Sequence, residues 1–187
     1  MKRIFAVLLV SAFSAVMPGT ASAQDFFSGF FGGGSGSGPV PRQVVQFEGN
    51  YKPGSIIVDT AQRRLYLVMG NGQALRYGIG VGRDGFRWGG IHKVTAKKEW
   101  PAWTPPSQMI ARRPDLPRHM EGGPDNPLGA RAIYLGSTLY RIHGSNEPDT
   151  IGTAVSSGCF RMVNDDVIDL YNRVSVGATV YVFNRGS

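Results

Sequence analysis

From Tyr51 onward the chain is cut into short β-branched and aromatic runs, each closed by turn residues, and no other feature constrains its fold as strongly. Residues 55–59 and 64–68 are such runs, and 74–80 follows Gly70-Asn71-Gly72, strong two-residue turn chemistry. These three read as an antiparallel meander. Residues 91–96, 132–135, 139–142 and 179–183 supply further strands, with Gly136-Ser137 marking a tight hairpin. One helix is clear. Asn164 is the expected N-cap, Asp165 and Asp166 suit a helix start, and Val167, Leu170, Tyr171 and Val174 fall at i, i+3, i+4 and i+7. Gly177 marks its exit. Residues 99–129 carry prolines at 101, 105, 106, 114, 117, 124 and 127 and read as irregular, the kind of long segment that forms binding loops or lids. The sum is a mainly β domain with few short helices.

The N-terminal part is of another kind. Lys2 and Arg3 precede a mostly apolar stretch over 4–16, and Ala21-Ser22-Ala23 has the small-x-small form of a cleavage site, so residues 1–23 read as a secretory signal. That stretch is too short to span a bilayer as a helix, and contact with a membrane is expected only in passing, through the signal. Residues 24–46 read as a flexible linker, because 28–38 holds six glycines and three serines and is followed by Pro39 and Pro41. Phe26, Phe27, Phe30 and Phe31 in that linker have no account. The folded domain is expected over 47–187, and the location outside the cytoplasmic membrane, in the periplasm or cell wall. The net charge of +7 suits solubility or an acidic wall polymer. Nucleic acid is not expected as a partner, since no nucleic-acid motif appears.

A chain exported to an oxidising compartment would normally pair its cysteines, yet Cys159 is the only one, so it has no partner. It sits in Ser156-Ser157-Gly158-Cys159-Phe160-Arg161-Met162, with fifteen residues between it and His143. A thiol reacts as thiolate, and an imidazole that takes its proton turns it into a nucleophile. Gly158 leaves room for a carbonyl to approach, and N–H groups around Gly158 and Cys159 suit a developing oxyanion. By themselves these two residues are as readily structural: a lone cysteine packs as a small hydrophobe, and most histidines do no chemistry.

The wider pattern resolves that ambiguity. Ile142-His143-Gly144-Ser145, then Ser156-Ser157-Gly158-Cys159-Phe160-Arg161-Met162 with Asn164, resembles the L,D-transpeptidase catalytic domain, also called YkuD. The resemblance extends to 126–133 and covers roughly 51–184. It implies a β-sandwich or barrel-like domain and an acyl transfer on peptidoglycan stem peptides. The cysteine attacks the bond between an L-centred diamino acid and a terminal D-alanine, and an amine resolves the thioester. Carried over, Cys159 is the nucleophile and His143 the base. The Gly144 carbonyl orients His143, while Ser157, Gly158 and Cys159 supply oxyanion N–H groups. Arg161, Ser145 and Tyr140 are substrate-binding candidates. Asn164 also matches, although its capping role already accounts for it. Ser157 departs from the family, where histidine is common, which leaves the proton traffic to His143.

No cofactor is implied, and three histidines with one cysteine show no zinc spacing. His92 and His119 carry no expected role. Trp88, Trp100 and Trp103 are read as loop anchors, core residues or liners of a substrate groove. Gly78-x-Gly80-x-Gly82 lacks the following helix that a dinucleotide site requires. The acceptor is open among another stem, a D-amino acid and an outer-membrane protein. Two other readings stand beside transfer: hydrolysis at the same cysteine, and a wall-binding module with a degenerate site.

Overall fold

The computed structural model describes residues 38–184. The expected signal segment and most of the expected linker lie outside them. In chain order the strands are β1 (Gln43–Gln46), β2 (Ile56–Asp59), β3 (Arg64–Gly70), β4 (Gln73–Gly78), β5 (Val81–Gly82), β6 (Gly90–Glu99), β7 (Arg131–Leu135), β8 (Arg141–His143), β9 (Ala154–Ser156), β10 (Phe160–Arg161) and β11 (Thr179–Phe183). Two α-helices accompany them among the described residues, α1 (Ser107–Arg112) and α2 (Asn164–Arg173). The domain is mainly β, as expected.

Nine strands form one sheet in the order β1-β4-β3-β2-β11-β6-β7-β8-β10, while β5 and β9 pair in parallel beside it. The meander is β2-β3-β4, closed by Asn71 and Gly72, both at positive φ as a hairpin turn of that length needs. Long β6 serves two neighbours: 90–93 pair with β11, and 94–99 pair with β7 past a bulge at Val94/Ala96. Each half-sheet therefore turns one face to a common interior. Ile56, Val58, Leu65 and Val180 come from one half, Ile133, Leu135, Ile142 and Phe160 from the other. Helix α2 closes this core with Val167 and Leu170, and Val174 at its C-cap continues the face its periodicity predicts.

The structure departs from the reading at both ends of the scale of size. The end of the expected linker over 24–46 is a strand: residues 43–46 form β1, paired antiparallel to β4. Val44 and Val45 suit a strand, and Arg42 immediately before it lies 3.5 Å from Asp166 and 3.3 Å from Asp169 on α2. Within the proline-rich stretch, α1 is a short helix that buries none of its residues. Strands β5, β9 and β10, two or three residues long, fall below what a period-two pattern reveals.

Candidate active site

Strand β8 places His143. Ile142 points into the core at 0% exposure, so alternation turns Arg141 and His143 to the opposite face. Strand β10 runs parallel to β8 with Phe160 beside Ile142 and Arg161 beside His143. Cys159 directly precedes β10 and enters at the level of Arg141. The motif histidine, on β8, and the cysteine, one residue before β10, thus arrive at one sheet edge.

His143 is buried, and its Nδ1–H donates to the Gly144 carbonyl at 2.6 Å. A carbonyl only accepts, so Nδ1 carries the proton and Nε2 keeps its lone pair, the tautomer a general base needs. Burial drives the His143 pKa down to about 3; the Gly144 bond opposes this and the Arg161 and Arg141 charges add to it. For Cys159, burial pushes the thiol up, against the Arg141 charge, the Arg141 backbone and the Arg161 charge. Near neutral pH the two groups are therefore a neutral imidazole and a thiol, not an ion pair. The thiol is directed at the Leu139 carbonyl, with Sγ···O at 4.0 Å.

The surroundings of His143 are built by close backbone approach. Gly144 has no room for a side chain: a Cβ there would collide with Asn164 Oδ1 and with the Gly129-Ala130 backbone. Asn164 corrects the expectation drawn from its position. It is the first helical residue, Val163 is the cap with no side-chain bond, and Asn164 Oδ1 accepts from the Ala130 N–H at 2.9 Å. An otherwise unsatisfied interior amide takes the oxygen that a helix terminus would have used. The Gly144 amide donates to Arg131 O at 3.0 Å, which ties the His143 corner to β7.

One hydroxyl closes the cysteine loop. Buried Ser156 donates from Oγ to the Cys159 carbonyl at 2.6 Å and accepts from the Gly158 N–H at 3.1 Å. This removes the Gly158 N–H from the expected set of oxyanion donors. Among the described residues, the Ser157 and Cys159 N–H groups have no hydrogen-bond partner. Gly158 sits at φ +109°, with the Tyr140 ring where a Cβ would be.

The remaining candidates divide. Tyr140 stands beside the cysteine loop, stacked on Trp88 at 4.4 Å between ring centroids. Arg161 is near enough for its charge to act on both His143 and Cys159, and its Nη1 pairs with Glu147 at 2.9 Å. Ser145 does not face a groove: it is buried, and its Oγ accepts from the Glu147 N–H at 2.9 Å. Sequence reasoning missed the role of Ser156, although a serine two residues before a glycine in a turn is a local signal for it. It also left Trp88 unplaced, and no local signal predicts a partner 70 residues away. Gly78 ends β4, Gly80 directly precedes β5 and Gly82 ends it, and a strand rather than a helix follows, so they form no dinucleotide turn.

Residues 53–182 match the family model for the L,D-transpeptidase catalytic domain, YkuD. The chain is 36% identical over 155 residues to a probable L,D-transpeptidase, ErfK/SrfK, of Escherichia coli strain K12, covering 78% of this chain and 48% of that one. It spans about half the length of the curated relatives it matches. A solved Brucella melitensis structure described as a probable carnitine operon oxidoreductase is 49% identical, with a TM-score of 0.52 over 73% of this chain and 89% of that one. An L,D-transpeptidase of Enterococcus faecium, solved as a cysteine-to-serine mutant, shares the fold at a TM-score of 0.57 and 18% identity, over 71% of this chain and 50% of that one. With the family model covering nearly all of the described residues, the chain belongs to the L,D-transpeptidase catalytic domain family.

Proposed function

We propose that this protein is an exported cysteine L,D-transpeptidase that acts on peptidoglycan tetrapeptide stems through a thioester on Cys159. The observation that carries the reading is the Nδ1–H bond of His143 to Gly144, which leaves Nε2 as a proton acceptor at the same sheet edge as the thiol. The step requires the Cys159 side chain to turn from Leu139 O toward that nitrogen. As Sγ attacks the carbonyl between the diamino acid and the terminal D-alanine, its proton passes to Nε2. The Cys159 and Ser157 N–H groups stabilise the oxyanion. The tetrahedral intermediate collapses, the imidazolium gives its proton to the leaving amine, and D-alanine departs. An acceptor amine then attacks the thioester, passes a proton to Nε2 and leaves as a new amide, while Sγ regains a proton.

A base of such low intrinsic affinity for protons does not hold a resting thiolate. The proton moves only as the new bond forms, so attack and transfer are coupled. Ser157 offers no imidazole, which leaves both transfers to His143. Arg161 and Tyr140, which flank the cysteine loop, are the candidates to contact the stem. The signal over 1–23 and the tether leading to β1 are part of this proposal, as is the periplasmic location.

Intact-mass analysis with a disaccharide-tetrapeptide donor tests the reading. The expected result is an acyl adduct on Cys159 with release of D-alanine, and its absence overturns the proposal. The product that follows identifies the acceptor: a cross-linked dimer, an exchanged D-amino acid, a modified protein lysine, or, for hydrolysis, the shortened stem.

A further inference from the structure

We infer that Trp88 is a positioning residue that aims the Cys159 N–H at the oxyanion, an inference that rests on acylation of Cys159 as proposed above. The indole Nε1–H donates to the Gly158 carbonyl at 2.6 Å. The C=O and N–H of one trans peptide unit point in opposite directions. Pinning the Gly158 oxygen against the indole therefore turns the Cys159 N–H away from it. The amide on the other side of Gly158 is turned inward to Ser156 Oγ. The two peptide units flanking one glycine are thus held in opposed senses, and only the one governed by Trp88 presents its N–H outward.

The indole is itself held in place. Its plane lies 7° from that of Tyr140, it tilts at 31° against Phe160 with centroids 5.2 Å apart, and His92 meets it edge-on at 5.1 Å. Phe160 belongs to β10 and His92 to β6, so the donor is referenced to two strands of the sheet. At φ +109° Gly158 adopts a conformation that places little steric bar on rotation of its peptide planes. Without the indole N–H, the plane between Gly158 and Cys159 samples orientations in which the Cys159 N–H points elsewhere. An oxyanion donor acts only when it is aimed before the charge develops.

Trp88→Phe keeps an aromatic ring against Tyr140 and removes the N–H. Two reactions of Cys159 separate positioning from general damage. Acylation by the tetrapeptide donor passes through an oxyanion; alkylation by iodoacetamide, a displacement at saturated carbon, does not. In Trp88→Phe the acylation kcat is expected to fall on the order of 10- to 100-fold, with KM changed less than about twofold, because one donor loses its aim. The alkylation rate and Tm stay close to wild type. Unchanged acylation overturns the inference, and so does an equal fall in both reactions, which would assign Trp88 to upkeep of the thiol. If Trp88→Phe does not fold, benzothienylalanine at position 88, which replaces the N–H with sulfur in nearly the same outline, is held to the same two rates. A wild type that is alkylated but never acylated refutes the proposed reaction itself, and the inference with it.

Discussion

The cysteine loop, 156–159, and the long excursion between β6 and β7 are both irregular, and they are built in opposite ways. In the short loop the groups on either side of Gly158 are tied by side chains, while the Ser157 and Cys159 N–H groups stay open: Ser156 Oγ holds two of the tied groups, and Trp88 holds a third. The excursion is fixed mainly at its neck. Trp103 and Met120 exchange backbone bonds of 2.8 Å, and buried Asn126 bonds to Met120 O, Glu121 O and the Leu128 N–H. Beyond the neck, α1 buries nothing, and its link to the loop carrying Trp88 is Arg112 over the Phe86 ring at 5.0 Å. Groups that react need sub-ångström placement, whereas a surface that meets a polymer gains from latitude.

That contrast breaks or sharpens under substitution. The largest effect is expected for Cys159→Ala, which removes all acylation, a loss of at least about 10⁴-fold, while Tm stays near wild type because a small side chain is exchanged for another. Mass analysis and thermal melting check both halves. Ser156→Ala strikes the short loop at its knot. With the Gly158 N–H and the Cys159 carbonyl left unpaired, stability is expected to fall by about 1–3 kcal/mol and acylation by roughly tenfold. A neutral outcome in both would mean that the loop holds its shape without the hydroxyl.

The pH response of His143 is smaller and has a fixed sign. Folding lowers its pKa from the ordinary histidine range to about 3, so between those values the unfolded chain binds the extra proton. Stability from this residue is present above about pH 6.5 and is lost as pH falls toward 3, by up to about 1.4 kcal/mol per unit. Asp166, raised to about 6 by burial, works in the opposite sense, so the test is the difference between wild type and His143→Asn in denaturant melts over that range. Parallel curves would place the imidazole in water. The smallest effect is expected in the excursion: Arg112→Ala should raise KM for the stem by no more than about threefold and leave kcat unchanged. A fall in kcat there would extend the rigid region outward to α1.

Much of the frame was legible in the residues. β-Branched runs marked the long strands, Asn71-Gly72 marked the hairpin, and Val167, Leu170 and Val174 marked the buried face of α2. The motif also brought His143 and Cys159 forward as a pair, and the folded chain sets His143 on β8 and Cys159 directly before the neighbouring β10. What stayed hidden depends on partners remote in sequence. β1 hid behind glycines and prolines because its pairing with β4 is supplied by the meander. Asn164 read as a cap because a local rule fits it, while its oxygen goes to Ala130 across the interior. The direction of an N–H group, the fact that separates Gly158 from Cys159, has no trace in residue identity at all.

The half-buried setting of Cys159 has a consequence beyond catalysis. Peroxide and disulfides react with thiolates far faster than with thiols, and here the surroundings of the sulfur favour its protonated form while those of His143 favour the neutral imidazole. A nucleophile stored in this form is chemically quiet until a carbonyl arrives to trigger it. For a protein proposed to work outside the reducing cytoplasm, a thiol held in its protonated form is also protected from oxidation.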